Sequence, residues 1–94
     1  MTTKINNFKE LYNVRLHKAE SIVQKIEKYL PHTYVSTVIS RVKKKHRIDV
    51  NSQHVRDVKR FKRKNLQILN VILDLAEENR KLQNKIETHA ANNN

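Results

Sequence analysis

The chain has 94 residues, with 20 Lys and Arg against nine Asp and Glu, a net charge of +11 and no Cys. Disulfides and thiolate metal sites are therefore excluded, and no apolar run approaches the roughly 18 residues of a membrane-crossing helix. The length fits one domain, and an apolar share of 37% makes a modest core that oligomerisation would support.

Gly is absent and Pro31 is the single proline, so an all-α fold is expected: a small helical domain with long helices at both ends. A first helix is predicted over residues 5–30. Tyr12, Leu16, Ala19, Val23, Ile26 and Leu30 recur on heptad spacing, with Phe8, Leu11, Ile22 and Tyr29 widening the stripe. Pro31 disfavours helical geometry at Leu30 and ends the run. Thr33 or Ser36 can cap a second helix reaching about Arg47, with Val35, Val38, Ile39 and Val42 facing inward. Asn51 or Ser52 can cap a third, reaching about Phe61, with Val55 and Val58 inward.

The last predicted helix runs from Leu66 to about Thr88. Eight of the eleven residues from 66 to 76 are apolar, which marks a stretch surrounded by protein. Farther on, the series thins to Ile68, Ile72, Leu75, Asn79, Leu82 and Ile86, again on heptad spacing. That narrow seam predicts a coiled coil with Ile72, Asn79 and Ile86 at the a positions. Val23, Ile26, Ile72, Leu75, Asn79 and Leu82 are the residues expected to hold a homodimer together. The tail, residues 89–94, is expected to be disordered.

Charge is concentrated in one quarter of the chain. Residues 41–64, "RVKKKHRIDVNSQHVRDVKRFKRK", hold eleven Lys or Arg and two Asp, whereas residues 65–94 carry three bases and four acids. A localised basic surface is the footprint of a polyanion binder. Apolar residues thread the stretch on helical spacing, so it is expected to fold rather than remain a mobile arm.

Catalytic patterns are missing from the sequence: it has no Gly-rich phosphate loop and no HExxH, and His17, His32, His46, His54 and His89 lack ligand spacing. No enzyme activity, cofactor or metal is expected. The segment "VNSQHVRDV" points elsewhere. Val50, Val55 and Val58 anchor a turn and the inner face of the helix that follows, leaving Ser52, Gln53, Arg56, Asp57 and Arg60 outward.

Over residues 34–61 the chain resembles the small helix-turn-helix DNA-binding regulators of bacteria and phages, the Cro and repressor-like group. Two departures stand out: Asp49 occupies the usual turn glycine position, and the preceding helix ends in "KKKHR" without the customary small alanine. The resemblance implies that the second helix of the motif enters the major groove of double-stranded DNA. Ser52, Gln53, Arg56 and Arg60 would then read bases, since Gln pairs with adenine and Arg with guanine. Lys43, Lys44, Lys45, Arg47, Asn51, Lys59, Lys62, Arg63 and Lys64 would hold phosphates.

The expectation is a dimeric transcriptional or replication regulator. One alternative is a packaging or virion-associated protein that neutralises nucleic acid without sequence preference; another is an adaptor whose basic patch meets an acidic protein or lipid surface. The opening "MTTKINNFKEL" lacks the apolar region of a signal peptide. A location in the cytoplasm of a bacterial or phage-infected cell is expected, without membrane insertion, or in a virion on the packaging reading.

Overall fold

Among the described residues, five helices rather than the four expected build the domain. The computed structural model describes residues 2–92, and they form α1 (Thr2–Tyr12), α2 (Leu16–Tyr29), α3 (Tyr34–His46), α4 (Ser52–Lys59) and α5 (Leu66–Asn92). No described residue lies in a strand.

The correction falls on the predicted helix 5–30, which is two helices. Asn13 adopts the left-handed conformation (φ 52°), and the Val14 N–H donates back to the Lys9 carbonyl at 3.2 Å. This is a Schellman-type stop with Asn in the place usually held by Gly. Asn tolerates that region because its short polar side chain costs little there. The break folds α1 back along α2, where Lys4 pairs with Glu27 at 2.9 Å and Ile5 and Phe8 become buried.

α3 and α4 start and stop close to the expected residues. Thr33 occupies the N-cap of α3 without a side-chain cap bond. Asn51 caps α4 fully, its side-chain oxygen accepting the His54 N–H at 2.7 Å. The end of α4 is a second Schellman turn: the N–H groups of Phe61 and Lys62 donate to the carbonyls of Val58 and Asp57, with Phe61 left-handed at φ 61°. Asn65 then caps α5, accepting the Ile68 N–H at 2.9 Å.

α5 is the spine. Ile68, Leu69, Val71, Ile72, Leu75 and Ala76 are buried, and this half packs against α2, α3 and α4. Val23 and Ile26 from α2, Val38 and Val42 from α3, and Val55 and Val58 from α4 close the same cluster. Val35 and Ile39 are only half-buried. An aromatic group seals the far end. Phe8 lies edge-on to Phe61 (5.1 Å between centroids) and tilted against Tyr12 (4.8 Å), whose hydroxyl accepts the Asn65 N–H at 3.3 Å.

Two further expectations change here. Val23, Ile26, Ile72 and Leu75 are each at most 8% exposed, so the chain's own core occupies these four members of the expected dimer seam. Asn79 is also used within the chain, its amide nitrogen donating to the Tyr29 carbonyl. The tail assignment is corrected as well: residues 89–92 continue α5, while 93 and 94 lie outside the described residues. At 27 residues and about 1.5 Å each, α5 is roughly 40 Å long. Residues 81–90 are exposed throughout. The protruding helix gives extents of 46 × 32 × 18 Å and a radius of gyration of 14.6 Å, against about 12 Å for a compact domain of this length. Among the described residues, no helix is long and apolar enough to cross a membrane.

Candidate nucleic-acid interface

With Val55 and Val58 fully buried, the helical period of 3.6 turns residues 53, 56, 57 and 60 to the opposite side of α4. Gln53, Arg56 and Arg60 are exposed, and Asp57 is half-buried at the edge of the stripe. Ser52 is half-buried and lines a cleft with Arg56, with His32 and Thr33 just before α3, and with Val35, Ser36 and Ile39 of α3. Lys59 lines a second cleft with Leu30, Pro31 and Tyr34. α4 therefore lies beside the N-terminal part of α3, and the two helices share one outer surface.

Tyr34 registers that charge. Burial pushes its hydroxyl pKa up, while the positive charges of Arg60 and Arg56 oppose the rise. Tyr34 was no part of the expected site. The sequence signal for it was weak, because a lone tyrosine at a helix start carries no periodic mark.

The eleven bases of residues 41–64 divide into two groups. Arg41 makes a two-pronged pair with Glu78 (2.6 and 3.0 Å), Lys45 reaches Asp74 at 3.6 Å, and Lys43 reaches Asp49 at 3.5 Å. Arg41, Lys44 and Lys45 also line a groove with Val71 and Asp74. The end of α3 thus spends much of its charge against α5 and the turn. By contrast, Lys44, Arg47, Arg56, Lys59, Arg60, Lys62, Arg63 and Lys64 make no ion pair among the described residues. Six of these eight fall between residues 56 and 64: Arg56 and Arg60 on the outer side of α4, Lys59 half-buried on its flank, and Lys62, Arg63 and Lys64 exposed after it. Asn51 is exposed, but its side-chain oxygen is already engaged as the α4 cap.

The histidines of the basic stretch contribute little to this surface. His46 is half-buried, and its Nε2 is sealed from solvent without a hydrogen-bond partner. His54 is half-buried. No group of three His, Asp or Glu among the described residues could hold a metal ion.

Gln53 has a partner. Its Nε2 donates to Asp57 Oδ1 at 2.9 Å, one helical turn along α4. The spacing of four was visible in the sequence; which of the possible pairs would form was not.

Taken by its geometry, the chain is a small all-helical protein with a short capped helix that presents amide and guanidinium groups in a basic surrounding. No protein-family model matches it, and no curated protein or solved structure is significantly similar.

Proposed function

We propose that the protein binds double-stranded DNA with sequence preference and acts as a transcriptional or replication regulator. In this reading α3, the connection 47–51 and α4 form a helix-turn-helix, and α4 enters the major groove. The observation that carries the reading is the outward stripe of Gln53, Arg56 and Arg60 along α4 and its C-cap, followed across the turn at Phe61 by the exposed Lys62, Arg63 and Lys64. A protein that only neutralised phosphate would need the lysines and arginines but not an ordered amide among them. Gln53 and Arg56 read bases, with Arg60 and Ser52 beside them. Arg47, Lys59, Lys62, Arg63 and Lys64 grip phosphates, and Lys43, Lys44 and Lys45 contribute less because α5 and Asp49 already engage two of them.

Selection of binding sites from a random duplex pool tests the reading. A discrete site is expected, and Gln53→Ala or Arg56→Ala should weaken it by roughly 5- to 150-fold, the worth of one good base contact, while scrambled duplex loses far less. Equal losses on both duplexes would make the protein a non-specific neutraliser of the packaging type.

The homodimer in this proposal uses the protruding end of α5. Leu82 (54% exposed) and Ile86 (59%) lie one turn apart on the heptad seam. A second copy is the occupant whose apolar stripe matches this one by construction. The free stretch is short, and helices below about 12–15 residues are marginal alone. Pairing is therefore weak in solution and becomes effective when two copies bind adjacent half-sites.

A further inference from the structure

We infer that Asp57 is a positioning residue that makes Gln53 selective for adenine over guanine. The inference rests on the reading of α4 as the helix that contacts bases, and it deepens that reading by naming what one position recognises.

The chemistry follows from counting donors and acceptors. A glutamine side chain carries two N–H donors and one carbonyl acceptor, whereas an ionised carboxylate can only accept. The 2.9 Å contact between Gln53 Nε2 and Asp57 Oδ1 therefore fixes which end of the amide faces Asp57, because the carbonyl end would meet a second acceptor there. One N–H is spent on Asp57. One N–H and the carbonyl remain.

Those two groups match adenine, which offers an N7 acceptor and an N6 donor in the major groove. They mismatch guanine, whose N7 and O6 are both acceptors. An unlatched glutamine can turn its NH₂ group toward guanine; the latched one would leave its carbonyl facing O6. Asp57 makes no ion pair among the described residues, and Arg56 and Arg60, its neighbours on the outward stripe, are exposed. The carboxylate is thus free to hold Gln53. Asp57 touches no base in this scheme and acts only through the amide.

A structural role for the same contact makes a different forecast. Gln–Asp pairs four apart give a helix a small stabilisation, and losing it would weaken binding to every sequence alike. Removing a carboxylate from a basic face should instead raise affinity for scrambled duplex slightly, by relieving repulsion from phosphate.

The test measures binding of wild type, Asp57→Ala, Gln53→Ala and the double variant to the selected duplex and to versions with A·T replaced by G·C at each position. Wild type is expected to prefer adenine at one position by roughly 5- to 150-fold. Both single variants should lose most of that preference at that position alone, and the double variant should lose no more than either. If Asp57→Ala keeps the full preference, or loses it additively with Gln53→Ala, the latch is overturned while base reading by α4 stands. If wild type selects no site, the DNA reading fails and this inference falls with it. A second measurement needs no DNA: the Gln53 side-chain amide signals of the free protein should move when Asp57 is replaced by Ala, because the 2.9 Å bond to its carboxylate is lost. Signals that stay still would overturn the latch.

Discussion

Among the described residues of this glycine-free chain, Asn13, Arg47 and Phe61 occupy the left-handed region. Each ends a helix and redirects the chain, and each meets the steric cost differently. Asn13 is tolerant by type. Phe61 is held by burial, 5% exposed and stacked edge-on against Phe8. Phe61→Ala should cost about 3–5 kcal/mol in urea unfolding, the usual result of emptying a buried aromatic site. Phe61→Gly should recover up to about 1 kcal/mol of that loss by relieving the left-handed strain. Arg47 is exposed and has no packing to hold it. Arg47→Gly should therefore leave stability unchanged or raise it by up to about 1 kcal/mol. If Arg47 grips phosphate, the same change should reduce the log–log salt slope of DNA binding by about 0.9. Stability and binding would then move in opposite directions, as expected where strain persists for function.

Among the elements, α5 joins the others through core packing and a line of ion pairs. Lys25 of α2 reaches Glu77 at 2.9 Å, and Arg41 of α3 grips Glu78. Hydrogen bonds from Arg80 first, and then from Lys25, hold the Glu77 carboxyl down to about 2 from an ordinary value of 4.5. The bond from Arg41 lowers Glu78 as well. A carboxyl depressed in the folded state binds its proton more readily when unfolded. Its contribution is therefore complete above about pH 4.5 and is lost as the pH falls toward about 2. Thermal unfolding followed across that interval should show falling stability, and Glu77→Gln should flatten the decline while lowering the midpoint at neutral pH. Val23→Asp and Ile72→Asp belong to this scale too. Both sites are at most 3% exposed within one chain. A buried unpaired charge costs several kcal/mol, on the order of 3–5, so these variants should unfold the monomer rather than release an intact one from a dimer.

For the whole molecule, the uneven use of charge sets the expected binding behaviour. Of the eight bases in residues 41–64 without ion pairs among the described residues, the proposed DNA reading gives Arg56 and Arg60 to bases and leaves six for phosphate. At about −0.9 per contact the salt slope should be about −5. Replacing Lys62, Arg63 and Lys64 by Gln should remove roughly three units of it, and replacing Lys43, Lys44 and Lys45 should remove less. An equal effect of the two triples would mean that the end of α3 contacts DNA despite its ion pairs. The protruding part of α5 bears on assembly. Free protein at tens of micromolar should sediment mainly as monomer, while two copies should bind a two-fold site cooperatively. Changing Leu82 and Ile86 together to Asn should abolish that cooperativity without altering the unfolding midpoint.

What the sequence determined alone is local and periodic. Without glycine, and with one proline at 31, it specified helices; the valines at 38, 42, 55 and 58 marked inward faces; Asn51 or Ser52 announced the start of α4, and the structure uses Asn51. The outward position of Gln53, Arg56 and Arg60 followed from the same period, so the candidate site was largely legible. Tertiary structure decided what depends on residues far apart in the chain. Heptad spacing looks the same whether a stripe meets another helix of its own chain or a second copy, and only packing assigned Val23, Ile26, Ile72 and Leu75 to the internal core. Continuous periodicity also concealed the break at Asn13. A left-handed residue there is offset by α1 packing on α2, with Lys4 reaching Glu27, Phe8 meeting Phe61 and Ile5 entering the core, contacts that no local window contains. The division of the basic stretch has the same origin: Lys45 and Arg41 are neutralised by acids 29 and 37 positions away, which charge counting along the chain cannot pair.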